Sequence, residues 1–360
     1  MKIAHIIKSL NPGGVETWLK DLAAVSKDEL HYVLHNNETS FYEDEVLRSG
    51  VVIKKISMLK GMFVFSYQLY RYFKDQKFDV VHSHINLASG WILFIALVAG
   101  TNVRVAHCHN DKRSEYKRHN FPRKFYYASM KCFVHLFANC KISVSENCSS
   151  SMFFNQKETV LILPCGLDFA AKGKVYSRSD FGISNNDIVL MHVGRFVPQK
   201  NHAFLIDLMI LLKKFDNFKL FLIGEGDDFD TVKANADEND LSNIFFLGIR
   251  DDVKDLMNSV VDFLLLPSHF EGLGLVAIES QSNNVYTLVS DNVPHAVKIS
   301  SFIDFLSVND PLVWKNHLLN LVSHNAHIAA KKLDFDNSNF SIEKNAKKLT
   351  EIYQAREREL

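Results

Sequence analysis

Short runs of β-branched and aliphatic residues alternate along the chain with longer segments whose apolar positions recur at helical spacing. The short runs are Ile3 to Ile7, Val80 to His82, Val103 to His107, Ile188 to His192, Leu220 to Ile223 and Phe263 to Leu266. They predict parallel βαβ units with helices covering both faces of the sheet. The apolar run Trp91 to Gly100 falls short of the roughly 18 residues that argue a membrane span, and it predicts a buried helix. One set of units ends near Leu161 to Pro164, and a second opens after Asp168 through the polar stretch Ala170 to Asn186. The pattern therefore predicts an α/β chain with domains over residues 1–168 and 169–340. A charged amphipathic helix follows over 341–360, with Asn337 or Ser338 as its cap, and is expected to pack back toward the first domain. Doubly wound sheets bind ligands at the C-terminal ends of their strands, in a crevice, so the motifs that carry chemistry should lie just after strands.

Composition narrows the class. A chain of 360 residues suits two cores better than one. Lys+Arg and Asp+Glu balance at 41 each, so no overall basic field favours nucleic acid. Five cysteines without a Cys-x-x-Cys pair argue against a disulfide framework or structural zinc. The start, Met-Lys-Ile-Ala-His-Ile-Ile, runs into a strand pattern without the apolar core of a secretory signal. A reducing cytoplasm is the expected compartment.

Chemistry concentrates in four places. Between Glu271 and Glu279 the chain reads Gly-Leu-Gly-Leu-Val-Ala-Ile, and a helix beginning near Gly274 carries Glu279 on its second turn while Glu271 stays in the loop. Gly272 and Gly274 let backbone N–H groups approach an anion such as phosphate, so the segment reads either as a sugar-nucleotide grip or as a loop of solvated glutamates. After the strand ending at Val193 come Gly194, Arg195 and, five residues later, Lys200. A bidentate guanidinium and a point charge can clamp a diphosphate and stabilise its departure. After the first strand, Gly13-Gly14 feeds a helix running from Val15 through Trp18, Leu19 and Leu22, whose amides could hold a phosphate or an acceptor group. It lacks the Walker lysine and the full dinucleotide glycine spacing, which disfavours an ATPase or a dehydrogenase. Finally, His82 and His84, and His107 and His109, each alternate so that both side chains of a pair share one face. Four histidines could bind a metal, but without a matching carboxylate constellation a structural or acceptor-side role is favoured. Asp228-Phe229-Asp230 reads as the solvated first turn of a helix rather than a metal motif.

Taken in order, Gly13-Gly14, Ala-His-Cys-His-Asn around His109, Gly-Arg-Phe-Val-Pro-Gln-Lys-Asn (194–201), Leu-Ile-Gly-Glu-Gly (222–226), Phe-Leu-Gly-Ile-Arg-Asp-Asp-Val (246–253) and the Glu271 to Glu279 segment resemble the family 4 retaining glycosyltransferases of the GT-B fold. The similarity is closest to bacterial capsule, exopolysaccharide and O-antigen enzymes. It implies two Rossmann-like domains, the first binding acceptor and the second donor, facing a central cleft. It implies transfer of a hexose with retention from a nucleotide diphosphate sugar, a UDP-sugar by expectation, to a saccharide or polyprenyl-diphosphate-linked saccharide, with no cofactor and no metal. His109 and Glu271 would act at the reacting sugar. Gly14, Arg195, Lys200, Gly272, Leu273, Gly274 and Leu275 would cradle the diphosphate, Gly248 to Arg250 would meet the nucleobase, and Glu279 the ribose. Gly13, Glu16 and His84 would serve the acceptor. Rival readings are a nucleotide-sugar epimerase of similar fold and a non-catalytic nucleotide-sugar-binding partner. The family pattern breaks at Ser280 to Tyr286 and around His295-Ala296, away from every expected phosphate contact.

Between residues 112 and 131 the basic residues Lys112, Arg113, Lys117, Arg118, Arg123, Lys124 and Lys131 interleave with Tyr116, Phe121, Phe125, Tyr126 and Tyr127. Such a mixture suits the anionic inner face of a membrane, or equally a solvated helix face over a buried aromatic stripe.

Overall fold

Each of the six apolar runs forms a strand in a computed structural model that describes residues 1–111, 113, 120–154, 160–330 and 340–359. The chain divides into two units, Met1–Asp168 together with Ser338–Leu360, and Phe169–Asn337.

In the first unit the strands are β1 (Lys2–Ile7), β2 (Glu29–Leu34), β3 (Val52–Lys55), β4 (Val80–Ser83), β5 (Val103–Cys108), β6 (Cys140–Ser143) and β7 (Leu161–Ile162). They pair in parallel in the order β3-β2-β1-β4-β5-β6-β7. The second unit holds β8 (Ile188–Val193), β9 (Phe218–Ile223), β10 (Ile244–Phe246), β11 (Phe263–Leu266), β12 (Tyr286–Ser290) and β13 (Ile303–Leu306). Their order, β10-β9-β8-β11-β12-β13, is again parallel and doubly wound. In both sheets the winding reverses between the first strand and the fourth, the place where such sheets leave a crevice for ligand.

Continuous apolar strands follow from burial on both faces. In the second sheet Leu190, Leu220, Leu222 and Phe263 point into one core layer with Trp314 and the helix His202–Leu212. Their neighbours Val189, Met191, Phe221 and Leu264 point into the other, against Leu256 and Met257. In the first sheet Ile3, Ile6, Val80, Val103 and Val105 follow the same rule, yet His5, His82 and His107 are also wholly buried on β1, β4 and β5. Polar rings at core positions are uncommon and need hydrogen-bond partners there.

The apolar run around Trp91 becomes the buried helix Ser89–Ala99. The C-terminal helix Ile342–Arg358 belongs to the first unit, where it lies along the helix Gly14–Val25. Ile342, Leu349 and Tyr353 recur at helical spacing on its buried face. Trp18 Nε1 donates to Asn345 Oδ1 at 2.8 Å, and Asn345 Nδ2 donates to the Pro164 carbonyl at 2.7 Å. The cap is Ser341, whose Oγ accepts from the Lys344 amide at 3.4 Å. Asn337 and Ser338, the expected caps, lie outside the described residues.

Candidate functional site

In the second unit β8 ends at Val193, and Gly194, Arg195 and the turn Pro198–Lys200 lead into the helix His202–Leu212. β11 ends at Leu266, and residues 267–274 lead into the helix Leu275–Ser282. These are the two neighbouring strands at which the winding reverses, so their exits share the crevice of this sheet. The two exit loops are laced together. Asn201 Nδ2 donates to the Pro267 carbonyl at 3.1 Å, Gln199 Nε2 to the Phe270 carbonyl at 2.9 Å, and the His269 amide to the Gln199 carbonyl at 2.9 Å.

That lacing brings two expected site residues into contact. Lys200 Nζ donates to Glu271 Oε1 at 2.6 Å, and Ser268 Oγ donates to the same oxygen at 2.6 Å. Glu271 is buried, so its charge is balanced by the lysine and a hydroxyl. Ser268 carries no motif signal and was not expected; only its place three residues before Glu271 betrays it. Arg195 is exposed, held at its base by Phe196, which is buried and stacks on His202 with ring centroids 4.0 Å apart.

Gly274 caps the helix Leu275–Ser282 with φ +92°, a conformation that L side chains rarely adopt, and a Cβ there would meet Val293 Cγ1 at 3.3 Å. The Ala277 amide donates to the Gly274 carbonyl at 2.9 Å, so the amides before it lie at the positive end of the helix. Glu279 is the fifth residue of this helix, on its second turn. The sequence that departs from the family pattern has structural work here: Gln281 Oε1 accepts from the Ile299 and Ser300 amides at 3.2 and 3.1 Å, tying the loop before β13 to this helix.

Gly224 follows β9, and its Cβ would fall 2.1 Å from the Gly194 carbonyl, so only glycine lets the two strand exits touch. The Gly224 amide donates to the Gly248 carbonyl at 2.8 Å, placing the 248–250 segment beside them. The Arg250 side chain is engaged elsewhere: Nε and Nη2 fork onto Asp252 Oδ1 and Oδ2 at 2.8 and 2.9 Å. Tyr176 Oη and Lys174 Nζ also donate to Asp252. Burial pushes that carboxyl up, but these bonds outweigh it and hold the group well below the usual carboxylate range. Arg250 thus fixes its own loop. Asp228 caps the helix Phe229–Glu238, with Asp230 in its first turn.

In the first unit the Gly13-Gly14 turn opens the helix Gly14–Val25, with Glu16 in its first turn and the Thr17 amide donating to the Gly13 carbonyl at 2.9 Å. Below it, around Trp18, five imidazoles from the ends of β1, β4 and β5 form two hydrogen-bonded chains. His5 Nδ1 meets His84 Nε2 at 2.9 Å, His84 Nδ1 meets His109 Nε2 at 2.9 Å, and His109 Nδ1 lies 3.6 Å from Cys165 Sγ. His107 Nδ1 meets His82 Nε2 at 3.1 Å, and His82 Nδ1 meets the Tyr353 hydroxyl at 2.6 Å. All five are buried, and burial lowers every one of their pKa values, to about 3 for His5 and His109. They are neutral at physiological pH. The sequence identified four of these histidines; His5, given no role there, is the fifth.

Residues 12–170 match the domain described as Glycosyltransferase Family 4, and residues 176–301 match that described as Glycosyl transferases group 1. The capsular polysaccharide biosynthesis glycosyltransferase CapH of Staphylococcus aureus is 25% identical over 99% of this chain and 99% of its own length. An Escherichia coli UDP-Gal:alpha-D-GlcNAc-diphosphoundecaprenol alpha-1,3-galactosyltransferase is 24% identical over 98% of this chain and 96% of its own. Among solved structures, Anabaena HepE in complex with UDP and glucose superposes with a TM-score of 0.82 at 16% identity, over 99% of this chain and 100% of that one.

Proposed function

Because the chain belongs to the glycosyltransferases, joining a family 4 domain to a group 1 domain in the GT-B fold, we propose that it moves a hexose from a UDP-sugar to a lipid-linked saccharide with retention of configuration. Its place in polysaccharide biosynthesis agrees with CapH. The UDP donor and the polyprenyl-diphosphate-linked acceptor are supported by the name of the Escherichia coli relative.

The observation that carries the reading is the Lys200–Glu271 contact, 2.6 Å long, at the reversal point of the second sheet and one short loop before a helix N-terminus. A carboxylate for sugar hydroxyls, a cation and a set of positive amides are there assembled for one ligand. Arg195 grips the diphosphate through its fork, Lys200 adds a point charge, and the amides around Gly274 and Leu275 complete the cradle. Glu279 takes the ribose, the backbone of Gly248 to Arg250 the base, and Gly272 and Leu273 let the main chain come close. As the anomeric C–O bond breaks, its electron pair goes to the diphosphate, which these groups stabilise. The acceptor oxygen bonds to the same face of the sugar, and its proton passes to the departing phosphate oxygen. No metal is needed at the diphosphate, since the protein supplies the positive charge.

For the first unit we assign His109, which is buried at the end of β5, to the transferred sugar. Gly13, Glu16 and His84 serve the acceptor side. The helix Phe121–Phe137 opens with Phe121 and Phe125, 80% and 68% exposed, around Arg123 and Lys124, a composition that docks on an anionic leaflet. Lys112, Tyr116, Lys117 and Arg118 lie outside the described residues. Among the described residues no helix is long and apolar enough to cross a membrane.

The test is a thermal-melting panel of UDP-, GDP- and ADP-sugars, since a ligand bound only by the native state at 100 times its Kd adds about 2.7 kcal/mol. UDP-sugars should raise the melting temperature, and a flat panel contradicts donor binding. With acceptor present, the anomeric signal of the product should match the donor; conversion of free sugar nucleotide without acceptor would instead identify an epimerase.

A further inference from the structure

We propose that His84, His107 and His109 form a site for one divalent transition cation of the zinc class, whose binding takes up the ring nitrogens that His84 and His109 would otherwise offer to acceptor and sugar. In the parallel register β4 and β5 align His82 with Val105 and Ser83 with Ala106, so the two His-x-His pairs lie on neighbouring strands with an offset of two residues. Alternation turns the side chains of both pairs to the face of the sheet that Trp18 covers. One ring nitrogen from each of His84, His107 and His109 lies within 4.8 Å of the other two. Tetrahedral zinc with Zn–N bonds near 2.0–2.1 Å sets its nitrogens about 3.4 Å apart, so the rings need close by no more than about 1.4 Å.

The outer hydrogen bonds select the ligating atoms. His5 holds His84 by Nε2, Cys165 holds His109 by Nδ1, and His82 holds His107 by Nδ1. What remains is His84 Nδ1, His109 Nε2 and His107 Nε2. The first two share a hydrogen bond at 2.9 Å, and the third is buried with no hydrogen-bond partner among the described residues. An unsatisfied buried ring nitrogen calls for a ligand, and a metal ligand whose other nitrogen is held by an outer partner is the usual arrangement.

The protons balance without any ring becoming charged. His109 keeps its Nδ1 proton toward Cys165, and His107 keeps its own toward His82. His84 moves its proton from Nδ1 to Nε2, where His5 accepts it on Nδ1 and carries its own proton on Nε2, the other partnerless ring nitrogen of the cluster. Three neutral imidazoles with free lone pairs suit zinc, copper or nickel rather than magnesium or calcium. The alternative trio of His5, His82 and His84 is close enough, but both nitrogens of His82 are already engaged, by His107 and Tyr353. His84 belongs to both trios, so one ion is bound, not two.

Metal-stripped full-length protein titrated with ZnCl2 by calorimetry should bind one equivalent, and the CoCl2 complex should show the intense visible bands of low-coordinate cobalt. His107→Gln should weaken zinc by about 100-fold or more, His5→Gln by about 10-fold, and exposed His324→Gln not at all. Absence of binding, or unchanged binding in folded His107→Gln, overturns the site. If that variant does not fold, X-ray absorption at the zinc edge of the wild-type complex decides: three imidazoles support the assignment, and one or none rejects it. None of these readouts requires a sugar donor.

Discussion

Lys200 Nζ and Glu271 Oε1 lie 2.6 Å apart although 71 residues separate them in sequence, and the carboxylate is the more buried partner. Removing the lysine strands a carboxylate in a place with little water, which for buried pairs costs about 3–5 kcal/mol. The partial exposure of Lys200 scales this down, so Lys200→Ala should lose about 2 kcal/mol of stability. Lys200→Ala with Glu271→Ala together should lose less than the two singles added. Urea unfolding of the four proteins measures the coupling, and a value below about 0.5 kcal/mol would mean that the pair is incidental.

Arg195 and Arg250 should separate function from stability. Arg195 is exposed, so Arg195→Ala should unfold within about 0.5 kcal/mol of wild type yet weaken UDP by about 10–100-fold, the cost of losing a charge-assisted fork. Arg195→Lys should recover only part of the loss, because an ammonium cannot reproduce two parallel bonds. Arg250→Ala should do the reverse and destabilise the unit, since it leaves Asp252 with a smaller set of donors. If Arg195→Ala binds UDP as wild type does, the diphosphate lies elsewhere.

Gly274 and Gly173 have similar backbone angles, φ +92° and +84°, in different surroundings. Alanine at either should cost about 1–2 kcal/mol of backbone strain. Only Gly274→Ala should also lose UDP binding, because it sits at the helix N-terminus of the cradle, whereas a Cβ on Gly173 meets nothing within 4 Å. Calorimetric titration of both variants with UDP reads the difference. Equal affinity in the two would remove this helix end from the donor site.

The strands that the sequence made visible are those buried on both faces, such as β1, β8 and β11, where uninterrupted apolar residues have no other explanation. The edge strand β3 was not legible, because Lys54 and Lys55 and an exposed Val52 suit an edge that must resist further pairing but break the apolar run. β2 was hidden for another reason: His31 and Tyr32 interrupt it, and their burial is secured by bonds to Tyr72 and to the Leu19 carbonyl that no local pattern announces. At the site, glycine spacing located the loop of Gly272 and Gly274. The Lys200–Glu271–Ser268 contact and the Arg250–Asp252 fork depend on which loops meet, a property of sheet order rather than of local sequence. For the same reason His5 became significant only when β1 was seen to pair with β4.

The buried imidazoles should make stability fall on the acid side of neutrality. In the unfolded chain each histidine takes a proton near pH 6.5, whereas in the folded chain burial lowers all five values, to about 3 for His5 and His109. Below pH 6.5 the unfolded state therefore binds more protons, and stability declines as pH falls, by up to about 1.4 kcal/mol per pH unit for each histidine. The contribution is constant above about pH 7.5, where neither state is protonated. Five such groups set a limiting slope of about 7 kcal/mol per unit, against a typical domain stability of about 5–15 kcal/mol, so unfolding should set in within one to two units below pH 6.5. Urea melts at pH 7.5, 6.5 and 5.5, followed by emission from Trp18 in a Trp91→Phe, Trp314→Phe background, should show the midpoint dropping steeply. Replacing His5 with glutamine should remove about one proton's worth of slope. A midpoint that stays level from pH 7.5 to 5.5 would show that the cluster is not held as neutral rings.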